Sequence, residues 1–381
     1  MKFVFISNYF NHHQKPFCEE MYNRLGSDFA FIATSMMSEE RRKLGYADDA
    51  PPYVRFSFAG RKGRAECVEL IRNADVVLAG SSPDNLLTDR IQSGKLLLRY
   101  SERPFKIKPS LLKRLYHGIK LRERDLWKKN VYMLCASAYT ARDYASIGMY
   151  RKRTYKWGYF PVVKEYDTDA LMTQKKANTL MWCGRFIDWK HPDDAIRVAQ
   201  KLKASGYDFH LNMVGTGTME QELHTMAEAM GVADCVRFTG SMPTEQVRLH
   251  MEEAGIYLFT SDRQEGWGAV LNEAMNSGCS VVASRAAGSA PYLIHDGENG
   301  LLYTSGNVDE MYEKVKRLLD SPEDQRRIGS AAYTTMRDTW NAEIAVDRIL
   351  LLTERILAGE KHPNLFEKGP CSLASVKYRS M

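Results

Sequence analysis

Long apolar runs are missing from this chain, and no stretch approaches the roughly 20 apolar residues needed to cross a bilayer. Paired cysteines are missing as well. Cys18, Cys67, Cys135, Cys183, Cys235, Cys279 and Cys371 are seven, an odd number, widely scattered and never in a Cys-x-x-Cys pair. That spacing argues against both a disulfide framework and a structural zinc site. Met1-Lys2 runs straight into the strand-like Phe3-Val4-Phe5-Ile6 with no signal-peptide pattern, so the expected location is the cytoplasm. No Gly-x-Gly-x-x-Gly follows that first strand, which counts against a dehydrogenase. Low-complexity segments, repeats at solenoid spacing and nucleic-acid recognition motifs are absent too.

What is present fits a globular protein of two α/β domains: 381 residues, 44% hydrophobic and 26% charged. The net charge of +6 conceals an asymmetry, because residues 1 to 160 hold 29 Lys and Arg against 16 Asp and Glu, while the rest hold 24 against 31. The basic half therefore faces something anionic. Short apolar runs recur with helical stretches between them: Phe3 to Ser7, Phe29 to Thr34, Val54 to Phe58, Val76 to Ala79, Leu96 to Tyr100 and Val131 to Ala136, then Thr179 to Cys183, His210 to Val214, Val236 to Thr239, Ile256 to Thr260 and Ser280 to Ala283. Strands alternating with helices mean parallel sheets. The expected fold is α/β, with two doubly wound Rossmann-like domains facing across a cleft. Residues 1–160 and 161–340 form the domains, 341–360 a helix packing back towards the first, and 361–381 a loose or surface-draped tail.

The strongest local pattern is Ser261-Asp262-Arg263-Gln264-Glu265-Gly266-Trp267-Gly268-Ala269-Val270-Leu271-Asn272-Glu273-Ala274. It follows a strand-like run and opens a helix, whose first N–H groups supply the positive end of a dipole. Seven residues lie between Glu265 and Glu273, which places both carboxylates near one ligand but at different parts of it. Upstream, Leu180-Met181-Trp182-Cys183-Gly184-Arg185 is followed by Lys190, and Met213-Val214-Gly215-Thr216-Gly217 is a strand running into a glycine turn. Taken singly, each of these also fits solvated surface charge or an ordinary tight turn.

In this order and spacing they resemble the retaining glycosyltransferases of the GT-B fold, the glycosyl transferases group 1 type. The specific likeness covers about residues 179 to 340. The resemblance implies that Arg185 and Lys190 are catalytic, gripping the donor diphosphate, and that Glu265 contacts the transferred sugar. It assigns Glu273 to the ribose hydroxyls and gives the donor site Gly184, Gly215, Gly217, Gly266, Trp267 and Gly268. As the glycosidic bond breaks, charge grows on the leaving phosphate, and fixed cations stabilise it. Transfer with retention, from the front face, of a hexosyl unit from a UDP-sugar to a glycan or lipid-linked acceptor follows from the resemblance. A nucleotide-sugar epimerase and a non-catalytic nucleotide-sugar-binding regulator remain alternatives. No Asp-x-Asp motif is placed to hold a divalent ion, so no metal and no cofactor is expected.

In the first half, Asn11, His12 and His13 follow the first strand, and a donor or acceptor contact and a plain polar loop fit them equally. Where relatives carry a histidine after a later strand, this chain has Ser101-Glu102-Arg103, making Glu102 a candidate catalytic replacement. The stretch Arg103 to Lys129 holds ten Lys and Arg against two acidic residues, with Leu111, Leu112, Leu115, Tyr116 and Ile119 at helical spacing. Two readings stand for it: an interfacial helix on an anionic membrane, or a surface helix with its apolar face on the core.

Overall fold

The computed structural model describes residues 1–36, 50–107, 110–121 and 130–378. It divides into two compact units, Met1–Val162 with Asn341–Tyr378, and Val163–Trp340.

The first unit is built on a sheet of β1 (Phe3–Ser7), β2 (Phe29–Ala33), β3 (Val54–Phe56), β4 (Val76–Ala79), β5 (Leu97–Ser101), β6 (Val131–Cys135) and β7 (Thr154–Lys156). Its order is β3-β2-β1-β4-β5-β6-β7 with every pair parallel. β1, β2, β4 and β6 are buried at every position, as strands covered on both faces must be. Val4, Ile6, Ile32, Val77 and Met133 pack with Ile71 of the helix Gly60–Asn73 in one core.

The second unit carries β8 (Lys176–Cys183), β9 (His210–Val214), β10 (Val236–Gly240), β11 (Ala254–Phe259), β12 (Ser280–Ser284) and β13 (Leu301–Tyr303). The order is β10-β9-β8-β11-β12-β13, again parallel throughout. Both sheets therefore reverse their winding beside the first strand, between β1 and β4 and between β8 and β11. In open α/β sheets the crevice outside the carboxyl ends of the strands at such a switch point is where ligands bind.

The expected helix is present, and the tail takes the surface-draped form rather than the loose one. The helix Ala342–Leu357 joins the first unit, with Arg24 paired to Asp347 at 3.1 Å. Beyond it, Cys371 and Ser372 are buried, and the chain runs along β7. Lys156 donates its N–H to Ser372 O at 2.7 Å, Cys371 donates to Lys156 O at 2.8 Å, and Ala374 donates to Thr154 O at 3.0 Å. The physical reason is the exposed edge: β7 ends the sheet and its outer backbone groups need partners. Periodicity could not reveal this, because the covering segment is irregular apart from a single antiparallel bridge, Tyr155 to Leu373.

Candidate functional site

The site of the second unit starts from two neighbouring strand ends. After β8, Gly184 donates to Val214 O at 3.0 Å and Phe186 to Thr216 O at 2.9 Å, so the turns leaving β8 and β9 run side by side. Glycine is needed there. A Cβ on Gly215, whose φ is +135°, would stand 1.8 Å from Gly184 O, and one on Gly217 would stand 2.3 Å from Phe186 O. These two glycines thus let the two turns pack backbone to backbone. Arg185, on the turn itself, is exposed, and its guanidinium has no partner among the described residues.

Lys190 closes a short 3-10 turn, Asp188–Lys190, and its Nζ lies 2.6 Å from Glu265 Oε2. Ser261 Oγ donates to the same oxygen at 3.3 Å. Both ionic side chains are nearly buried, so each offsets part of the other's desolvation. The backbone beneath is fixed from β11: Trp182 Nε1 donates to Thr260 Oγ1 at 2.7 Å, and Thr260 Oγ1 donates to Lys190 O at 2.6 Å. Trp189 lies under the ammonium, 4.9 Å from ring centroid to Nζ.

Gly268, φ +85°, precedes the helix Ala269–Asn276, and a Cβ there would meet Phe259 Cζ at 2.4 Å. Among the described residues no side chain caps this helix, and its N-terminal dipole suits an anion. Gly266 is buried in the turn. The Trp267 side chain turns into the unit. Its side chain is fully buried, its Nε1 donates to Asn272 Oδ1 at 2.9 Å, and its ring packs 5.8 Å from Trp340. An indole so enclosed anchors the turn between the two glycines.

The carboxylate of Glu273, one turn into that helix, accepts no hydrogen bond among the described residues. Burial pushes its carboxyl up to about 6, against the opposing pull of the Arg248 guanidinium, while Glu245 adds a further upward push. Arg248 is itself buried and tied to Glu273 O at 3.1 Å and to Asn276 Oδ1. Burial also raises the Cys183 thiol to about 12, with Glu273 raising it and Lys190 lowering it, so these groups share one electrostatic neighbourhood. A cation pair and a carboxylate without a protein donor at a switch point suit a ligand with both phosphate and hydroxyl groups.

In the first unit, the loop after β1 and the end of β5 meet. Asn11 Oδ1 accepts from His13 N at 2.9 Å and Gln14 N at 3.3 Å, forming the turn that starts the helix Lys15–Leu25. The His12 and His13 rings lie 3.8 Å apart, and His13 stacks on Tyr159 at 5.8 Å. Burial, then the His12 charge, pushes His13 down to about 3, so it is a neutral imidazole at ordinary pH. Tyr159 donates to Glu102 Oε1 at 2.7 Å, and Lys106 pairs with Oε2 at 2.7 Å.

Residues 164–335 match the family described as glycosyl transferases group 1. That segment belongs to it. A Haemophilus influenzae protein described as an uncharacterized glycosyltransferase is 30% identical over 161 residues, 41% of this chain and 45% of its own length. The GDP-mannose-dependent alpha-(1-6)-phosphatidylinositol monomannoside mannosyltransferase of Mycolicibacterium smegmatis is 32% identical over 162 residues, 41% of this chain and 42% of that protein. The chain thus spans less than half the length of these two relatives. Among solved structures, Anabaena HepE in complex with UDP superposes with a TM-score of 0.67 at 16% identity, covering 93% of this chain and 100% of that one. The sucrose-phosphate synthase of Thermosynechococcus elongatus gives 0.64 at 14%, covering 93% and 99%. These likenesses extend over both units and show the GT-B fold.

Within the group 1 segment, sequence reasoning singled out Gly184, Arg185, Lys190, Glu265 and Glu273, and the structure brings them to the ends of β8 and β11. It missed Thr260, Ser261 and Arg248, which hold Lys190, Glu265 and the Glu273 helix in place. Thr260-Ser261, where the strand-like run passes into the motif, was a usable signal, whereas Arg248 sits on the separate helix Thr244–Glu253 with nothing to mark it. The same holds for Tyr159 and Lys106 around Glu102.

Proposed function

We propose that the chain transfers a hexosyl unit from a nucleotide diphosphate sugar, with UDP the favoured nucleotide, to a glycan or lipid-linked acceptor, leaving an α-linkage. The observation that carries this reading is the set of Arg185, Lys190, Glu265 and Glu273 at the switch point of the group 1 segment. The relatives add support: HepE was solved with UDP, and the mycobacterial protein's name gives GDP-mannose as its donor.

In the proposed reaction the bond from sugar C1 to the β-phosphate oxygen breaks, and its electron pair goes to the phosphate. Arg185, exposed and unpaired, and Lys190 stabilise that charge. The acceptor oxygen attacks C1 from the same face, and its proton passes to the leaving phosphate. Lys190 stands between two anions, with Glu265 holding its ammonium until a diphosphate shares it. Glu273 accepts from the ribose hydroxyls, which supply the hydrogen bonds its carboxylate lacks. No metal is required in this reading. The one Asp-x-Asp of the chain, Asp167-Thr168-Asp169, precedes the amino end of β8, whereas Lys190 follows its carboxyl end. Asp167 there caps a helix by accepting from Ala170 N at 2.8 Å.

Calorimetric titration with UDP, GDP and ADP and their hexose conjugates tests the donor site. One nucleotide should bind, with affinity falling at least about tenfold in Arg185→Ala and Glu273→Ala, as expected when a charged hydrogen bond is lost; no binding of any nucleotide would sink the reading. EDTA should leave turnover intact. Glu102→Gln should lower kcat with little change in donor affinity if the first unit lends a group to the reaction, and unchanged turnover would remove Glu102 from it.

A further inference from the structure

The helix Leu111–Leu121 of the first unit turns its apolar stripe outward. Leu112, Leu115, Tyr116 and Ile119 are 80%, 64%, 62% and 53% exposed, and Ile107 just before the helix is 78% exposed. These five are a third of the fifteen large exposed hydrophobic residues among the described ones, gathered within thirteen positions. At about 100° per residue, positions 112, 115, 116 and 119 share one stripe roughly 100° wide. The opposite side holds the helix to the unit: Gly118 is buried and would bring a Cβ within 3.6 Å of Ile147, and Leu121 packs on the core. An ordinary surface helix has the reverse arrangement, with apolar residues inward. The reading that put this apolar face on the core is thereby excluded.

Charge identifies the occupant. The helix carries no acidic residue, and Lys113 and Lys120 line one edge of the apolar stripe, exposed and without an ion pair among the described residues. The half of the chain that holds it has 29 Lys and Arg against 16 Asp and Glu. Two copies docked face to face through this stripe would bring their lysines together with no carboxylate of the helix to pair them. A layer that accepts apolar side chains and attracts cations at its rim is an anionic lipid surface. From the outward stripe and its lysines we infer that this helix seats the protein on an anionic membrane, with Leu112, Leu115, Tyr116 and Ile119 in the acyl boundary and Lys113 and Lys120 at the headgroups. The inference goes beyond the donor reading and does not depend on it, although a lipid-linked acceptor would be met on the same surface.

The test is co-sedimentation of the full chain with vesicles of equimolar phosphatidylglycerol and phosphatidylcholine, against phosphatidylcholine alone, at low and high salt. The anionic vesicles should bind at least about tenfold more protein at low salt, and the difference should shrink as salt screens the lysines. The double variant Leu112→Asp with Ile119→Asp should lose that binding while keeping the native melting curve and nucleotide affinity, because both side chains are exposed. Lys113→Glu with Lys120→Glu should lose the preference for anionic lipid in the same way. Equal binding to both vesicle types, or a double variant that binds like the native chain, overturns the inference. A dimer seen by light scattering that the Leu112→Asp, Ile119→Asp variant dissolves would overturn it in favour of self-association.

Discussion

Glu273 carries a pH dependence whose sign can be worked out. Its carboxyl is raised from 4.5 to about 6 in the folded chain, chiefly by burial. A carboxyl raised on folding is favoured in its neutral form, so its contribution to stability is complete below the unfolded value and disappears as pH rises through about 6. Above that window the unliganded protein carries a partly desolvated carboxylate at a cost on the order of 2 kcal/mol. Glu273→Gln should therefore match the native chain in denaturant unfolding near pH 4.5 and exceed it by about that amount at pH 7.5. Nucleotide binding should run the other way, because only the ionised carboxylate accepts two ribose hydroxyls: affinity should fall about tenfold per pH unit well below 6, and the Gln variant should be weak and flat. A native affinity that ignores pH between 4.5 and 7.5 would separate Glu273 from the nucleotide. Glu273, Glu265, Arg185 and Lys190 were legible because a short motif carries them in sequence. Arg248, which restrains Glu273, and Tyr159, which holds Glu102, were not legible, because each acts from an element far away along the chain and leaves no periodic trace.

At the scale of elements, the glycine turns show where a motif says less than the fold. Gly215 has a φ of +135° and no room for a Cβ, since the carbonyl of Gly184 would lie 1.8 Å away. Gly206 also has a positive φ, +80°, but nothing stands within 4 Å of its missing Cβ. Gly206→Ala should thus cost about 1 kcal/mol, the strain of a left-handed alanine alone. Gly215→Ala should cost about 3 kcal/mol or more, because the turns after β8 and β9 must separate, and the melting temperature should drop by on the order of 10 °C. Differential scanning calorimetry of the two variants compares them directly, and similar losses would mean that the close approach has no energetic weight. Eleven of the strands were readable as apolar or β-branched runs. β7 and β13, three residues each, were too short to show a period, and the segment covering β7 was hidden because its hydrogen bonds run through irregular backbone. The outward stripe of Leu111–Leu121 was undecidable for a different reason: amphipathic spacing fixes that a helix has an apolar face, and only the packed structure says which way it points.

At the scale of the molecule, the two units differ in how the chain completes them. Val163–Trp340 is continuous, and its core, from Leu180 and Trp182 to Leu318 and Ile328, draws only on its own residues. Its last residue is part of the structure rather than a spacer: Trp340 lies 5.8 Å from the buried Trp267 ring and stacks on Tyr292 at 6.1 Å, beneath the Gly266-Trp267-Gly268 turn. Met1–Val162, by contrast, is incomplete without Asn341–Tyr378, which supplies the Asp347 partner of Arg24, the cover of the β7 edge and the buried Cys371. The two fragments should therefore behave differently when expressed alone. Residues 163–340 should melt cooperatively and keep nucleotide affinity within about tenfold of the full chain, since the donor groups and their supports all lie inside it. Ending the same fragment at 339 should weaken both properties by uncovering Trp267. Residues 1–162 should aggregate or remain unfolded, with an exposed sheet edge and an uncovered apolar flank, until 341–378 is supplied on a second chain. Circular dichroism melts of the fragments, separately and mixed, measure this. A stably folded 1–162 would mean that the returning segment decorates the first unit, and an unfolded 163–340 would mean that the donor half depends on the rest of the chain for its stability.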